Sequence, residues 1–132
     1  MKSLMIILLS VMSLSYCYGQ TQAEMNKADH DHYVNTDIEL NSIYKKVINE
    51  YAEDTAFIKN LKASQRLWVK FRDAEMKMRY PDREPGYYGS MQPSCRDNYL
   101  AELTEDRINT LKEWIEGAEE GDVCSGSVKT KE

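Results

Sequence analysis

All three prolines of this 132-residue chain, Pro81, Pro85 and Pro93, fall in one short segment. Proline removes a backbone donor and bars the residue before it from helical geometry, so helices end where it appears. The stretches on either side are free to run as long helices, and their apolar residues recur at the required three- and four-residue steps. The first such stretch runs from about Thr21 to Glu53 and carries Tyr33, Leu40, Tyr44, Val47 and Tyr51. Asn35, Thr36 and Asp37 favour caps over helix interiors, so a break in this long helix belongs there. The second stretch follows Asp54, a good N-cap, places Phe57 and Ile58 in its first turns, and ends before Pro81. The third begins near Asp97, carries Leu100, Leu103, Leu111, Trp114 and Ile115, and is closed by Gly117. No alternating strand pattern and no internal repeat competes with these. The expected fold is all-α: a small antiparallel bundle of three main helices, with helices one and two antiparallel and a long loop at residues 80–95 between helices two and three.

The N-terminus, "MKSLMIILLSVMSLSYCYGQ", has a cation at Lys2, an apolar run from Leu4 to Leu14 and small residues at Cys17 and Gly19. That is the layout of a secretory signal peptide, with an apolar run too short for a transmembrane span. Cleavage is expected after Gly19, giving domain boundaries of 1–19 (signal peptide), 20–122 (helical domain) and 123–132 (flexible polar tail). Acylation at Cys17 is a less favoured alternative, because Tyr16 is bulky where a small residue is expected. The chain so trimmed has 16 Lys and Arg (17 less Lys2) against 22 Asp and Glu, a net charge of −6. An acidic exported chain is a poor nucleic-acid binder and a plausible partner for something cationic. The expected location is the periplasm or cell envelope.

Polar residues interrupt the apolar stripes. In "LKASQRLWVKFRDAEM", residues 61–76, Leu61, Trp68 and Phe71 form the stripe of helix two, yet Gln65, Arg72 and Glu75 share that face. Asp37 shares the face of Tyr33, Leu40 and Tyr44, while Thr104 and Arg107 sit with Leu100, Leu103 and Leu111. A lone buried charge is prohibitive and a hydrogen-bonded pair tolerable. The expectation is a semi-buried ionic network in which two acids meet two arginines and fix helix register. It is read as structural: no nucleophile arrangement, metal motif or phosphate loop accompanies it, so neither catalysis nor a cofactor is expected.

Three further features carry alternatives. The loop residues Tyr87, Tyr88, Gly89, Ser90, Met91 and Gln92 either pack back to close the loop or form a partner-recognition element with aromatic anchors. "DHDH", Asp29 to His32, holds the only two histidines, which point about 200° apart on a helix. It is read as a solvated helix end rather than a metal site. Cys95 and Cys124 either form a disulfide, just reachable if the tail doubles back, or remain unpaired or intermolecular thiols.

"QAEMNKADHDHYVNTDIELNSIY", "LKASQRLWVKFRDAE", "GSMQP" and "YLAELTEDRINTL" occur in the order of the segments of the LprI-like lysozyme-inhibitor domain, and the chain resembles that family from about Gln22 to Asp122. The resemblance implies a helical domain of a small exported bacterial protein that inhibits lysozyme, or a related muramidase, by binding it. The alternative is a structural or stress-related envelope module that binds another protein or peptidoglycan. The chain departs from the family in having Ala28, Met76 and Tyr99 where members often carry cysteine.

Overall fold

The structure is a computed structural model that describes residues 2–131, with side chains described from Thr21 to Lys131. The expected leader and the Cys17 alternative fall on residues whose side chains lie outside that set. The chain forms three helices, α1 (Lys2–Glu50), α2 (Thr55–Arg79) and α3 (Gln92–Glu116). Contacts run from the middle of α1 to the start of α3 (Asp29 with Ser94) and from the end of α1 to the end of α3 (Tyr51 with Trp114), so these two helices are parallel. α2 returns alongside them: Phe57 reaches Trp114, and Glu75 reaches Tyr99. The fold is all-α, and α2 is antiparallel to both neighbours.

α1 packs along much of its described length against α3. The buried row on α3 is Ser94, Ala101, Thr104, Ile108 and Leu111, which is a heptad-like spacing. It meets Thr36, Leu40 and Val47 of α1 and Tyr51 just beyond its end. Small side chains at four of these positions let the two backbones lie close. α1 does not break at "VNTD". Thr36 is buried there, and its hydroxyl donates to the His32 carbonyl at 2.9 Å. The group that would cap a new helix bonds back along the old one, and packing on α3 overrides its weak propensity.

The apolar core is polarised. Leu40, Val47, Tyr51, Leu61, Ile108 and Leu111 cluster with Phe57, Trp68 and Trp114 toward the end where α1 turns into α2. Asp54 caps α2 there by accepting from the Phe57 N–H at 2.9 Å. Toward the opposite end, hydrogen-bonded polar groups do much of the holding.

A helix start and one side chain differ from expectation. α3 starts at Gln92 rather than near Asp97, because Pro93 sits in its first turn, where a missing N–H costs nothing. The loop is correspondingly short, 80–91. Phe71 is 51% exposed rather than in the buried stripe. The inward row of α2 is centred on Leu61, Gln65, Trp68 and Arg72, and Phe71 lies about 80° from Leu61 around the helix.

The tail also departs from the flexible segment expected from residue 123. It folds back onto the core end. Trp114 Nε1 donates to Ser127 Oγ at 3.0 Å, and the Lys129 N–H donates to Tyr51 Oη at 2.9 Å. Ala118 and Thr130 form a parallel bridge. Gly117 makes this return possible. Its φ is +77°, and a Cβ there would meet the Lys129 carbonyl at 3.0 Å.

Candidate functional site

Two groups of residues were candidates: the polar side chains between the helices and the loop. The first does not form one network. Arg72 reaches α1, where Nη1 donates to Asp37 Oδ1 at 3.0 Å, and its guanidinium lies 5.3 Å from the Trp68 ring centroid. Glu75 finds no arginine; it accepts from the Tyr99 hydroxyl at 3.2 Å. Arg107 finds no acid either. Its Nε donates to Gln65 Oε1 at 3.0 Å and Nη2 to Ser64 Oγ at 3.1 Å. Burial pushes the Arg107 guanidinium below its ordinary value, since neutral partners do little to offset lost hydration. Thr104 belongs to no network. Its buried hydroxyl donates to the Leu100 carbonyl of its own helix at 2.6 Å. The expectation of two acids paired with two arginines is thus corrected: of these four, only Asp37 and Arg72 pair with each other as ions, while Glu75 and Arg107 take neutral partners. Three helices supply these polar groups, and partner choice depends on which side chain lies opposite, which periodicity does not specify.

Ser94 and the residues of "DHDH" complete this end. Ser94 is buried and donates to the Asp29 carboxylate. α3 begins without a side-chain cap or an acid in its first turn, and Asp29 supplies the negative charge that its N-terminus favours. His30 contacts Asp97 at 3.2 Å and His32 contacts Glu105 at 3.3 Å. The histidines of "DHDH" are solvated as expected, but they lie within α1 rather than at a helix end, and each contacts an acid of α3. Among the described residues, no group of three His, Cys, Asp or Glu is placed to hold a metal ion. Tyr99 carries Arg79 4.0 Å from its ring centroid. Cys95 and Cys124 are both exposed and free. Cys95 lies in α3's first turn and Cys124 beyond the far end of a helix about 37 Å long. The tail is docked at that far end, which removes the extended return a disulfide needs.

The loop is a small aromatic lobe. Tyr88 is held in it: its hydroxyl donates to the Pro81 carbonyl at 2.8 Å, and its ring packs edge-on to Tyr80 with centroids 5.4 Å apart. Tyr87 packs on Tyr88 at 4.9 Å but is 68% exposed, and Arg83 lies over it. Gly86 and Gly89 have φ of +84° and +75°, with open space where a Cβ would stand, so their role is conformational. Ser90 and Met91 are exposed, while Gln92 has become the first residue of α3. Arg96, one turn on, stands over Tyr80 and ties the lobe to the helix. Opposite the lobe, at the core end, a cleft of about 400 Å³ opens between α2 and α3, lined by Phe57, Leu61, Leu111 and Trp114 with Arg107 on its wall.

Residues 17–111 match the family described as lysozyme inhibitor LprI. The chain belongs to that family. An uncharacterized protein of Rhizobium meliloti (strain 1021) is 32% identical over 110 residues, covering 75% of this chain and 77% of that protein. No solved structure matches the chain. The LprI match takes in α2, the tyrosine loop and most of α3, and stops at Leu111, before the docked tail.

Proposed function

We propose that this LprI-family chain is an exported envelope protein that inhibits lysozyme, or a related muramidase, by binding it, with no chemistry of its own. The observation that carries the reading is the family match over residues 17–111. Charge supports it. Glu102, Asp106 and Glu113 form an exposed row along the outer face of α3. Lysozymes of the common animal class are cationic, and such a face steers a cationic partner and speeds its association at low salt.

The loop is the proposed recognition element, and its two tyrosines have different roles. Tyr87 is the anchor, offering exposed aromatic area to a partner. Tyr88 is the support that holds Tyr87 in place. Anchoring aromatics contribute roughly 2 kcal/mol or more to binding. Tyr87→Ala should cut affinity for lysozyme by at least about that amount with little change in melting temperature, whereas Tyr88→Ala should lower both. The test is inhibition of cell-wall lysis by the purified protein against several lysozyme classes, followed by titration of the two variants at fixed salt. Full lysozyme activity at about tenfold molar excess of the protein ends the inhibitor reading, since any useful affinity would saturate there. Normal binding by Tyr87→Ala removes the loop anchor and leaves the acidic face of α3 as the contact surface.

A further inference from the structure

The charge of this chain is unevenly divided. α2 carries seven Lys and Arg (59, 62, 66, 70, 72, 77 and 79) against Asp73 and Glu75, a net +5 within a chain of net −5. The remainder is therefore −10. Lys59, Arg66, Lys70 and Lys77 fall within about 40° of one another around α2, on the side opposite Leu61. All four are exposed. Among the described residues none of them has an ion pair, a hydrogen bond or a ring contact through its side chain, and nor does Lys62. Most of the other cations are engaged: Lys112 with Glu39, Arg107 with Gln65, Arg79 and Arg96 with tyrosine rings.

Beside this row runs a second one. Leu67, Phe71 and Met78 are 66%, 51% and 68% exposed and also share about 40° of the helix. Alanines 63 and 74 lie between the two rows. The outer half of α2 is thus a strip of cations bordered by large apolar side chains that nothing in the molecule covers.

We propose that this outer face of α2 docks the protein on an anionic phospholipid bilayer, with the helix lying in the plane of the headgroups. Lys59, Arg66, Lys70 and Lys77 would contact lipid phosphates, while Leu67, Phe71 and Met78 enter the acyl boundary. The two rows together select this occupant. A soluble polyanion satisfies the cations but leaves the apolar row in water. A second copy placed face to face would set the two cation rows against each other. The row from Lys59 to Lys77 spans about 27 Å, long enough for several headgroups. Docking through α2 leaves the acidic outer face of α3 and the Tyr87 loop available to a partner.

The test is co-sedimentation of the full chain with vesicles of phosphatidylcholine alone or with about one third phosphatidylglycerol, at low salt and at about 0.5 M, where exposed charges are screened. Two variants accompany it: Arg66→Gln/Lys70→Gln/Lys77→Gln, and Leu67→Ser/Phe71→Ser. All five side chains are exposed, and unchanged circular dichroism and melting temperature verify that each variant is folded. The expected result is binding to the anionic vesicles that salt abolishes. The glutamine variant should lose about a hundredfold, at about fivefold per cation removed. The serine variant should lose at least about tenfold while keeping its salt dependence. Absence of binding to anionic vesicles at low salt overturns the proposal. So does equal binding to both vesicle types that the glutamine variant retains, which assigns attachment to another segment. An unaffected serine variant overturns the bilayer as occupant and leaves a general polyanion surface.

Discussion

Arg72 shows how a charged side chain sits inside a small helical bundle. It is 13% exposed, with Trp68 and Tyr33 rings around its guanidinium, while its partner Asp37 is 39% exposed. Removing one member of a fully dry pair costs about 3–5 kcal/mol. Asp37 retains water, so Arg72→Ala should cost less, about 1–3 kcal/mol, much of it lost packing of the arginine stem. Arg66→Ala, on the outer face of the same helix, should stay within about 0.5 kcal/mol. Chemical denaturation midpoints compare the two, and equal midpoints would refute a stabilising role for Arg72. The inward position of Arg72 was legible because helical period alone puts it about 20° from Leu61. Its partner was not, and Glu75 and Arg107, equally legible in position, took Tyr99 and Gln65 instead of each other.

At the scale of elements, the parallel contact of α1 with α3 depends on small buried side chains more than on large ones. Thr104 is fully buried, with its hydroxyl already satisfied inside α3. Thr104→Leu should therefore destabilise by about 1–3 kcal/mol through overpacking. Thr104→Ser keeps the hydroxyl and removes one methyl, and should cost less, about 1 kcal/mol. Thermal unfolding of the pair is the measurement; a leucine variant as stable as wild type means that α1 and α3 do not pack tightly at that point. Element existence was plain from period and from the confinement of proline to one segment. Element ends were less so. Pro93 belongs to a helix rather than to the loop because its first turn tolerates proline, and Thr36 belongs to a helix interior rather than to a cap because packing on α3 made the locally second-best state the better one.

Across the whole molecule, the tail and the charge pattern organise the two ends and the two sides. Tyr51 joins all the parts of the core end: buried between α1 and α3, packed on Phe57 of α2 at 4.7 Å, donating to the Trp114 carbonyl at 3.1 Å and accepting from Lys129 of the tail. Tyr51→Phe keeps the ring and removes both hydrogen bonds, leaving the Lys129 N–H and the Trp114 carbonyl unpaired. The expected loss is about 1–3 kcal/mol. Limited trypsin digestion should then cut faster after Lys129, because release of the tail exposes its backbone. A cleavage rate equal to that of the parent protein would show that the tail is held without the Tyr51 hydroxyl.

Helical period, the clustering of proline and the ordered motifs determined by themselves that the chain is all-α, that it has three main helices, that it belongs with the LprI lysozyme inhibitors and which polar residues face inward. These are local or one-dimensional properties, set by backbone sterics and by which side of a helix a residue occupies. Tertiary structure alone decided that α1 runs unbroken through Thr36, that Asp37 pairs with Arg72 while Glu75 and Arg107 take neutral partners, and that the tail returns to Tyr51. Phe71 makes the difference concrete. Its apolar side chain suits either a core or an exposed face, and the way α2 packs on its neighbours left it outside, beside a row of unpaired cations. Pairing and exposure depend on what stands opposite a side chain in space, and residues distant in sequence come opposite one another only when the helices pack.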